Sequence, residues 1–268
     1  MSYKIGIIGK GFVGGAMYEN FKDYYSVEVY DTDETKRTMD LEQLVNWAQL
    51  LFVCVPTPMR ESDGACDHTI VESVVKKISH INKNKVVVIK STVPPGTTKR
   101  LSDETGMNIC FNPEFLTEAN YILDFKYQPL IVIGADNEDL YDIIYDLYVD
   151  FNHRVNSQGQ IVRSTTKEAE MFKYLANCFL ATKVTFLNEM YRLCQTTNID
   201  YNRVADIARL DRRLGHTHWK VPGPDGKFGF GGSCFPKDMN ALAHFADEAG
   251  NTLWLVTEAI YINNDVRK

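Results

Sequence analysis

Six short apolar stretches, at 4–8, 27–30, 50–55, 86–89, 108–111 and 130–133, punctuate the first half of the chain, and longer segments of mixed polarity separate them. In most of these stretches the apolar residues run consecutively instead of alternating with polar ones. Strands buried on both faces need that pattern, and helices packed on both sides of a parallel sheet supply the burial. The sequence therefore predicts an α/β fold built on a doubly wound parallel sheet. The longest purely apolar runs have only four to seven residues, far below the ~20 of a bilayer-spanning helix. No membrane segment is expected.

After a polar stretch at 152–160 the character changes. Ser164-Thr165-Thr166 with Glu168 is a capping-box signal, and Phe172, Leu175, Phe179, Phe186, Met190 and Leu193 then recur at steps of three, four and seven residues. One long helix over 164–196 follows. Such a helix needs a second surface to bury against, so a homodimer through it is expected. Further helical patterns at 201–210, 237–249 and from 253 onward make the second half all-helical. Between them, 221–232 holds five glycines and two prolines in twelve residues, a shaped loop. At ~100–200 residues per domain, the 268 residues divide into two domains, 1–162 and 163–268.

Composition narrows the function. The chain carries 29 Lys and Arg against 35 Asp and Glu, a net charge of −6. It lacks the broad basic footprint that nucleic acid or an anionic membrane selects, so any anionic ligand must be gripped locally. The six cysteines form no C-x-x-C pair, and the chain opens on a strand pattern instead of a secretory signal. A reduced, cytoplasmic protein is expected.

Gly9-Lys10-Gly11-Phe12-Val13-Gly14 closes the first predicted strand and opens a helix. In that context a G-x-G-x-x-G turn lets the backbone approach a pyrophosphate at a helix N-terminus, which makes the fold Rossmann-like. Asp31, about 20 residues on at the end of the second strand, is placed to accept from adenosine ribose hydroxyls. Its charge would repel a 2′-phosphate and so favours NAD over NADP, with Lys36 and Arg37 close by. The alternative is a glycine-rich turn without a ligand. Val55-Pro56-Thr57-Pro58 and Ser91-Thr92-Val93-Pro94-Pro95-Gly96 fall at later strand ends, outside which ligands of open α/β sheets bind. Their prolines serve equally as loop punctuation.

Glu114 and Glu118 follow the fifth strand. If 114–118 begin a helix, the two carboxylates share a face and can do acid–base work, or they merely complement the dipole of a solvated first turn. Lys173 and Asn177, also four apart, could hold a developing oxyanion or form the polar edge of an amphipathic helix. His216 and His218 lie near Trp219, but nothing completes a metal set, and no metal is expected.

The most specific segment is Gly229-Phe230-Gly231-Gly232-Ser233-Cys234-Phe235-Pro236-Lys237-Asp238. A cysteine behind a glycine-rich loop and at the start of a helix sits in a positive field, reinforced by Lys237, that favours the thiolate. A thiolate adds to an aldehyde, so Cys234 is a nucleophile candidate. Asp238, one turn on, could orient Lys237 or activate water. The other cysteines lie in apolar contexts and read as core.

Taken in order, Gly9 to Gly14, 55–58, 91–96, Pro113-Glu114-Phe115-Leu116, Glu170-x-x-Lys173-x-x-x-Asn177, Asp211-x-Arg213-Leu214-Gly215 and 229–238 resemble the UDP-glucose/GDP-mannose dehydrogenases across the whole chain. Val221-Pro222-Gly223-Pro224-Asp225-Gly226 looks more like the UDP-glucose branch. The resemblance implies NAD-dependent, four-electron oxidation of a nucleotide-sugar C6 alcohol, UDP-glucose to UDP-glucuronate. It implies cofactor contacts from Gly9, Gly11, Phe12, Val13, Gly14, Asp31, Val55, Pro56, Thr57, Ser91, Thr92, Glu118 and Lys237. Thr92, Asp238 and Lys173 would handle the proton of the first step. Cys234 would form a thiohemiacetal whose oxyanion Lys173 and Asn177 stabilise, and Asp238 with Glu118 would position the water that releases the acid from a thioester. Implied substrate contacts are Glu114, Phe115, Leu116, Lys173, Asn177, Arg213, Phe228, Gly229 and Gly231, with Arg213 reaching across a subunit boundary. Members of the family usually continue into a second α/β domain that closes over the nucleotide-sugar, and this chain is expected to lack that wall unless a partner or neighbouring subunit supplies it. The alternatives are a single-hydride β-hydroxyacid-type dehydrogenase, which needs no thiol, and an inactive NAD-binding dimerisation protein.

Overall fold

The computed structural model describes residues 3–268. Strands β1 (Lys4–Ile8), β2 (Ser26–Tyr30), β3 (Leu50–Val53), β4 (Val86–Ile89) and β5 (Asn108–Phe111) pair in parallel within a seven-stranded sheet of order β2-β1-β3-β4-β5-β6-β7. β3, in the interior, is buried at every position, whereas β2, at the edge, is fully buried only at Val29. Chain order reverses between β1 and β3. The crevice outside their carboxyl ends is where an open α/β sheet binds its ligand.

Two features depart from a purely parallel sheet read off apolar runs. β6 (Leu130–Gly134) meets β5 antiparallel, with Phe111 opposite Gly134, and β7 (Gln160–Ser164) then adds parallel to β6. A doubly buried strand carries the same apolar run in either direction, so the pattern cannot report the reversal. β7 is not among the strands the sequence predicts; it begins at the last residue of the polar stretch at 152–160. It is an edge strand with no fully buried residue, and edge strands carry polar and charged side chains.

Helices cover both faces. On one side α1 (Phe12–Phe21), α5 (Tyr121–Lys126) and α6 (Glu138–Val155) enclose an aromatic core in which Phe21 meets Phe151 at 5.0 Å and Phe125 at 5.3 Å, edge to face. On the other side α2 (Leu41–Trp47), α3 (Thr69–Asn82) and α4 (Thr97–Thr105) contribute Leu44, Val45, Val71, Val75 and Leu101 to a second core.

The chain forms two compact units, one of residues up to Pro58 with 67–173, the other of 59–66 with 174–268. The long helix α7 (Thr166–Thr196) begins in the first and continues in the second. Its start is the capping box anticipated from the sequence: Thr165 N–H donates to the Glu168 carboxylate at 2.9 Å, and Glu168 N–H donates to Thr165 Oγ1 at 3.2 Å. The second unit is helical, with α8 (Tyr201–Arg209), α9 (Phe235–Glu248) and α10 (Trp254–Val266). Its core gathers Tyr174, Cys178, Phe230, Met239 and Leu242, with a satellite of Leu187, Tyr201, Trp219 and Val221. Among the described residues no helix is long and apolar enough to cross a membrane.

Candidate active site

The turn after β1 shows why its glycines are glycines. Gly9 adopts φ +93°, and a side chain there would meet the Cys54 carbonyl at 2.7 Å, while one at Gly14 would meet the Gly9 carbonyl at 1.9 Å. Those two positions are closed by packing. Gly11 differs: a Cβ there meets nothing within 4 Å, and as N-cap of α1 it provides no side-chain cap. The first-turn N–H groups therefore lack a side-chain acceptor, and the cradle suits an anion. Phe12, beside it, is exposed with its ring edge against Tyr121, and Val13 is half-buried.

Asp31 accepts from Lys10 N–H at 2.6 Å through Oδ2 and from Asp33 N–H at 2.9 Å through Oδ1. Each oxygen keeps a lone pair for a ribose hydroxyl. Lys36 is paired with Asp33 at 3.5 Å and Arg37 with Glu34 at 2.8 Å, so neither cation is turned to a 2′-phosphate. These residues fit a dinucleotide. When bound, NAD⁺ supplies the hydride acceptor.

The later strand ends are tied together. Ser91 Oγ donates to the Val55 carbonyl at 2.7 Å, and Thr57, Ser91 and Thr92 are buried while Pro56 is exposed. Below them Glu170, on the first turns of α7, accepts from Thr98 N–H at 2.8 Å and from Gly96 N–H, satisfying the start of α4. Burial pushes the Glu170 carboxyl up to about 7 against these two donors.

Glu114 and Glu118 do not share a helix face. Residues 112–117 are irregular, a turn follows at 118–120, and α5 begins only at Tyr121. Glu114 Oε2 accepts from Leu116 N–H at 2.8 Å, and the Asp124 carboxylate holds Thr117 N–H at 2.8 Å; these local bonds replace a helical turn. Glu118 is exposed and Glu114 half-buried. Lys173 Nζ donates to Glu114 Oε1 at 2.9 Å and to its carbonyl, with side-chain exposures of 4% and 12%. Burial alone would raise the Glu114 carboxyl, but the Lys173 charge and hydrogen bond outweigh it, and the carboxyl lies below its ordinary 4.5. Phe115 packs on Phe172 at 5.5 Å, with the Lys173 ammonium 5.2 Å from its ring, and Leu116 is half-buried.

In the second unit Cys234 is half-buried at the N-cap of α9, with Pro236 in the first turn, and Asp238 N–H donates to the Cys234 carbonyl at 2.9 Å. The Asp238 carboxylate, 1% exposed, is held by Asn177 Nδ2 at 2.6 Å and by an ion pair with Lys237. Asn177, from α7, thus joins Lys237 and Asp238, on the turn that starts at Cys234, in one cluster. The neighbouring Cys178 is a core thiol that burial pushes up to about 12; burial does the same to Cys54 and Cys110.

The loop before α9 is pinned from behind. Gly229 N–H donates to Asn188 Oδ1 at 2.9 Å, Phe230 N–H to Asn263 Oδ1 at 2.7 Å, and Arg267 to the Phe228 carbonyl at 3.1 Å. A Cβ on Gly231 would strike the Arg267 guanidinium at 2.5 Å. Phe228 rests on Tyr191, with ring centres 5.6 Å apart. Arg213 stands apart from the Cys234 cluster in its hydrogen bonding. It is 87% exposed on the turn at 212–214, its guanidinium forked onto Asp211. Among the described residues no His, Cys, Asp and Glu group could hold a metal. Glu170, Lys90, Asn112, Asn188, Asn263 and Arg267 carry no assigned role in the sequence reading. Only Glu170 had a signal, its place in the Glu-x-x-Lys-x-x-x-Asn series.

Residues 16–152 match the model of the NAD binding domain of the UDP-glucose/GDP-mannose dehydrogenase family, and residues 167–265 match its central domain. The chain belongs to that family. As a member of the UDP-glucose/GDP-mannose dehydrogenases it carries the family's NAD-binding domain, although the Gly9–Gly14 turn precedes the matched segment and stands on its own geometry. Among curated proteins it is 38% identical to a UDP-glucose 6-dehydrogenase of Rickettsia bellii over 84% of this chain and 51% of the relative. It is 35% identical to UDP-glucose 6-dehydrogenase TuaD of Bacillus subtilis over 86% and 49%. The chain thus spans about half the length of these relatives. The structure of a UDP-glucose dehydrogenase from Pyrobaculum islandicum superimposes with a TM-score of 0.85 at 28% identity, covering 98% of this chain and 68% of that one. A GDP-mannose dehydrogenase from Pseudomonas aeruginosa gives 0.71 at 26%, with the same coverages.

Proposed function

We propose that this protein takes part in the NAD-dependent oxidation of a nucleotide-sugar C6 alcohol to a carboxylate, UDP-glucose to UDP-glucuronate, through a covalent sulfur adduct on Cys234. The observation that carries the reading is the cluster at the start of α9, where Asn177 and Lys237 converge on buried Asp238 one turn beyond Cys234. The overall balance is one alcohol, one water and two NAD⁺ giving one carboxylate, two NADH and three protons.

Each side chain has a task the chemistry demands. The Cys234 thiolate adds to the C6 aldehyde and keeps it from escaping between the two oxidations. Lys173 and Asn177, one turn apart on α7, are the hydrogen-bond donors for the oxyanion so formed. Thr92 with Lys173 and Asp238 handles the proton of the alcohol, and Asp238, with Glu118, positions the water that cleaves the thioester. Glu114 holds Lys173 and lies beside Phe115 and Leu116, the proposed sugar contacts. Lys237, Val55, Pro56 and Thr57 complete the cofactor contacts, and Phe228, Gly229, Gly231 and Arg213 those to the sugar.

The α7 surface supports a homodimer as part of this reading. Leu175, Phe179, Phe186 and Leu193, at heptad-like spacing, are 53–66% exposed, and such an apolar stripe calls for a covering surface.

The deciding experiment is stoichiometry with adduct trapping. Wild-type protein is expected to yield two NADH per UDP-glucose, and Cys234→Ser to stall at the aldehyde level with no sugar on the residue-234 peptide by mass spectrometry. Two NADH per sugar in Cys234→Ser would overturn the covalent route. One NADH per sugar in the wild type would favour the single-hydride reading, and NAD⁺ binding without turnover the inactive one.

A further inference from the structure

Lys90 directly follows β4 and is 1% exposed, one of the largest fully buried side chains in the protein. Its Nζ donates to the Asn112 carbonyl at 3.0 Å and to Asn112 Oδ1 at 2.8 Å. Asn112, equally buried, donates its N–H to the Ile89 carbonyl at 2.9 Å and Nδ2 to the Val132 carbonyl at 2.7 Å. Its Oδ1 accepts a second bond from the Tyr148 hydroxyl. The ammonium therefore ties the end of β4 to the end of β5, and Asn112 extends the tie to β6 and α6. Thr92 lies two residues beyond Lys90, and Glu114 two residues beyond Asn112.

A buried cation is a poor device for stability alone, because apolar side chains of similar volume serve as well without its desolvation cost. What an ammonium adds is a directional grip on two acceptors of one residue. We propose that Lys90 is a positioning residue: through Asn112 it fixes the loop bearing Thr92 relative to the loop bearing Glu114. The inference rests on the function assigned above to those two residues, and goes beyond it by naming what holds them in register.

The groups facing Lys90 are the Cys54 and Cys110 thiols, the Glu114 carboxylate and the Lys173 ammonium, with the Phe125 ring 5.9 Å away and the Tyr148 phenol on Asn112. Burial pushes both thiols up to about 12 and raises the Tyr148 phenol. Glu114 is therefore the anion of the set at neutral pH. Burial lowers Lys90 itself to about 8, so the grip is charged at neutral pH and loses its charge above it.

The test is amide hydrogen exchange on the full chain, wild type against Lys90→Met, combined with steady-state kinetics. Exchange at 91–96 and 112–117 is expected to rise at least about tenfold while the strands β1–β3 stay protected. Unchanged exchange in both loops overturns the proposal. This readout needs no turnover, so a chain that proved inactive would fail the functional reading and leave the clamp to be judged on exchange alone. Where turnover is measurable, kcat should fall about 100-fold, the scale of an ångström-sized misplacement. A stability loss with kcat intact would show a merely structural lysine and overturn the proposal. Should Lys90→Met not fold, wild-type exchange in the same loops is followed from pH 7 to 9.5 after correction for intrinsic rates. Loss of protection with a midpoint near 8 supports the clamp, and a flat profile overturns it.

Discussion

Substituting Lys173→Met removes the charge that keeps Glu114 ionised in a buried place, and the consequence can be worked through in sign and size. The pair is 2.9 Å apart with side-chain exposures of 4% and 12%. Without Lys173 the Glu114 carboxylate retains the Leu116 N–H and only a more distant cation, Lys90. Breaking a buried pair on one side costs ~3–5 kcal/mol, and the remaining cation places this case at about 3 kcal/mol. In the wild type the folded Glu114 carboxyl lies below its ordinary 4.5. Its contribution is therefore fully present above that value and lost as pH falls through the depressed one. In Lys173→Met burial is no longer outweighed, so the carboxyl moves above 4.5 and protonates early. The variant should be about 3 kcal/mol less stable at pH 7 by urea unfolding and within ~1 kcal/mol of wild type at pH 4.5, because protonated Glu114 needs no counter-charge. Adding Glu114→Gln to Lys173→Met should recover most of the loss at pH 7. A cost below ~1 kcal/mol at pH 7, or an equal cost at both pH values, would refute the claim that this ion pair sets the state of Glu114.

Three further outcomes are expected. Asp31→Asn should weaken NAD⁺ binding about tenfold while narrowing its preference over NADP⁺, since a charged acceptor for ribose hydroxyls is worth ~1.5 kcal/mol or more; equal Kd values for both cofactors in the wild type would contradict it. Glu170 has a folded value of about 7 against an ordinary 4.5, so its neutral form is favoured by folding and stability falls as pH rises from 4.5 through 7, by about 3 kcal/mol at ~1.4 kcal/mol per tenfold. Glu170→Gln should flatten that slope in urea midpoints between pH 5 and 8, and an unchanged slope would sink the assignment. Phe186→Lys places a charge in the exposed α7 stripe and should convert a dimer to monomer by sedimentation with the unfolding midpoint little changed; a monomeric wild type would refute the proposed interface.

What the sequence discloses and what it hides divide along sequence separation. β1, β3, β4 and β5 were legible because burial on both faces leaves consecutive apolar residues, and the start of α7 because Thr165 and Glu168 are three apart and cap each other. β7 was hidden by its edge position, and the direction of β6 because a buried strand reads the same both ways. In the candidate site, spacing marked the residues proposed to carry chemistry but not their partners. Glu114 meets Lys173 from 59 residues away, Asn177 meets Asp238 from 61, and Glu170 meets Gly96 from 74. Lys90 followed a buried strand like ordinary polar punctuation, and its 22-residue separation from Asn112 left no local trace.

The hidden partners follow from a physical necessity. Lys173 and Asn177 read in sequence as donors to one oxyanion, yet each is already bound to a carboxylate in its own unit. An oxyanion formed only during turnover cannot satisfy buried donors between turnovers, and a buried donor left without an acceptor costs ~1–3 kcal/mol. On the proposed function, donors reserved for a transient charge are therefore expected to be held by resident acceptors. Glu114 and Asp238 meet that requirement within each unit, and because tertiary structure alone brings them there, no periodicity along the chain could have announced them.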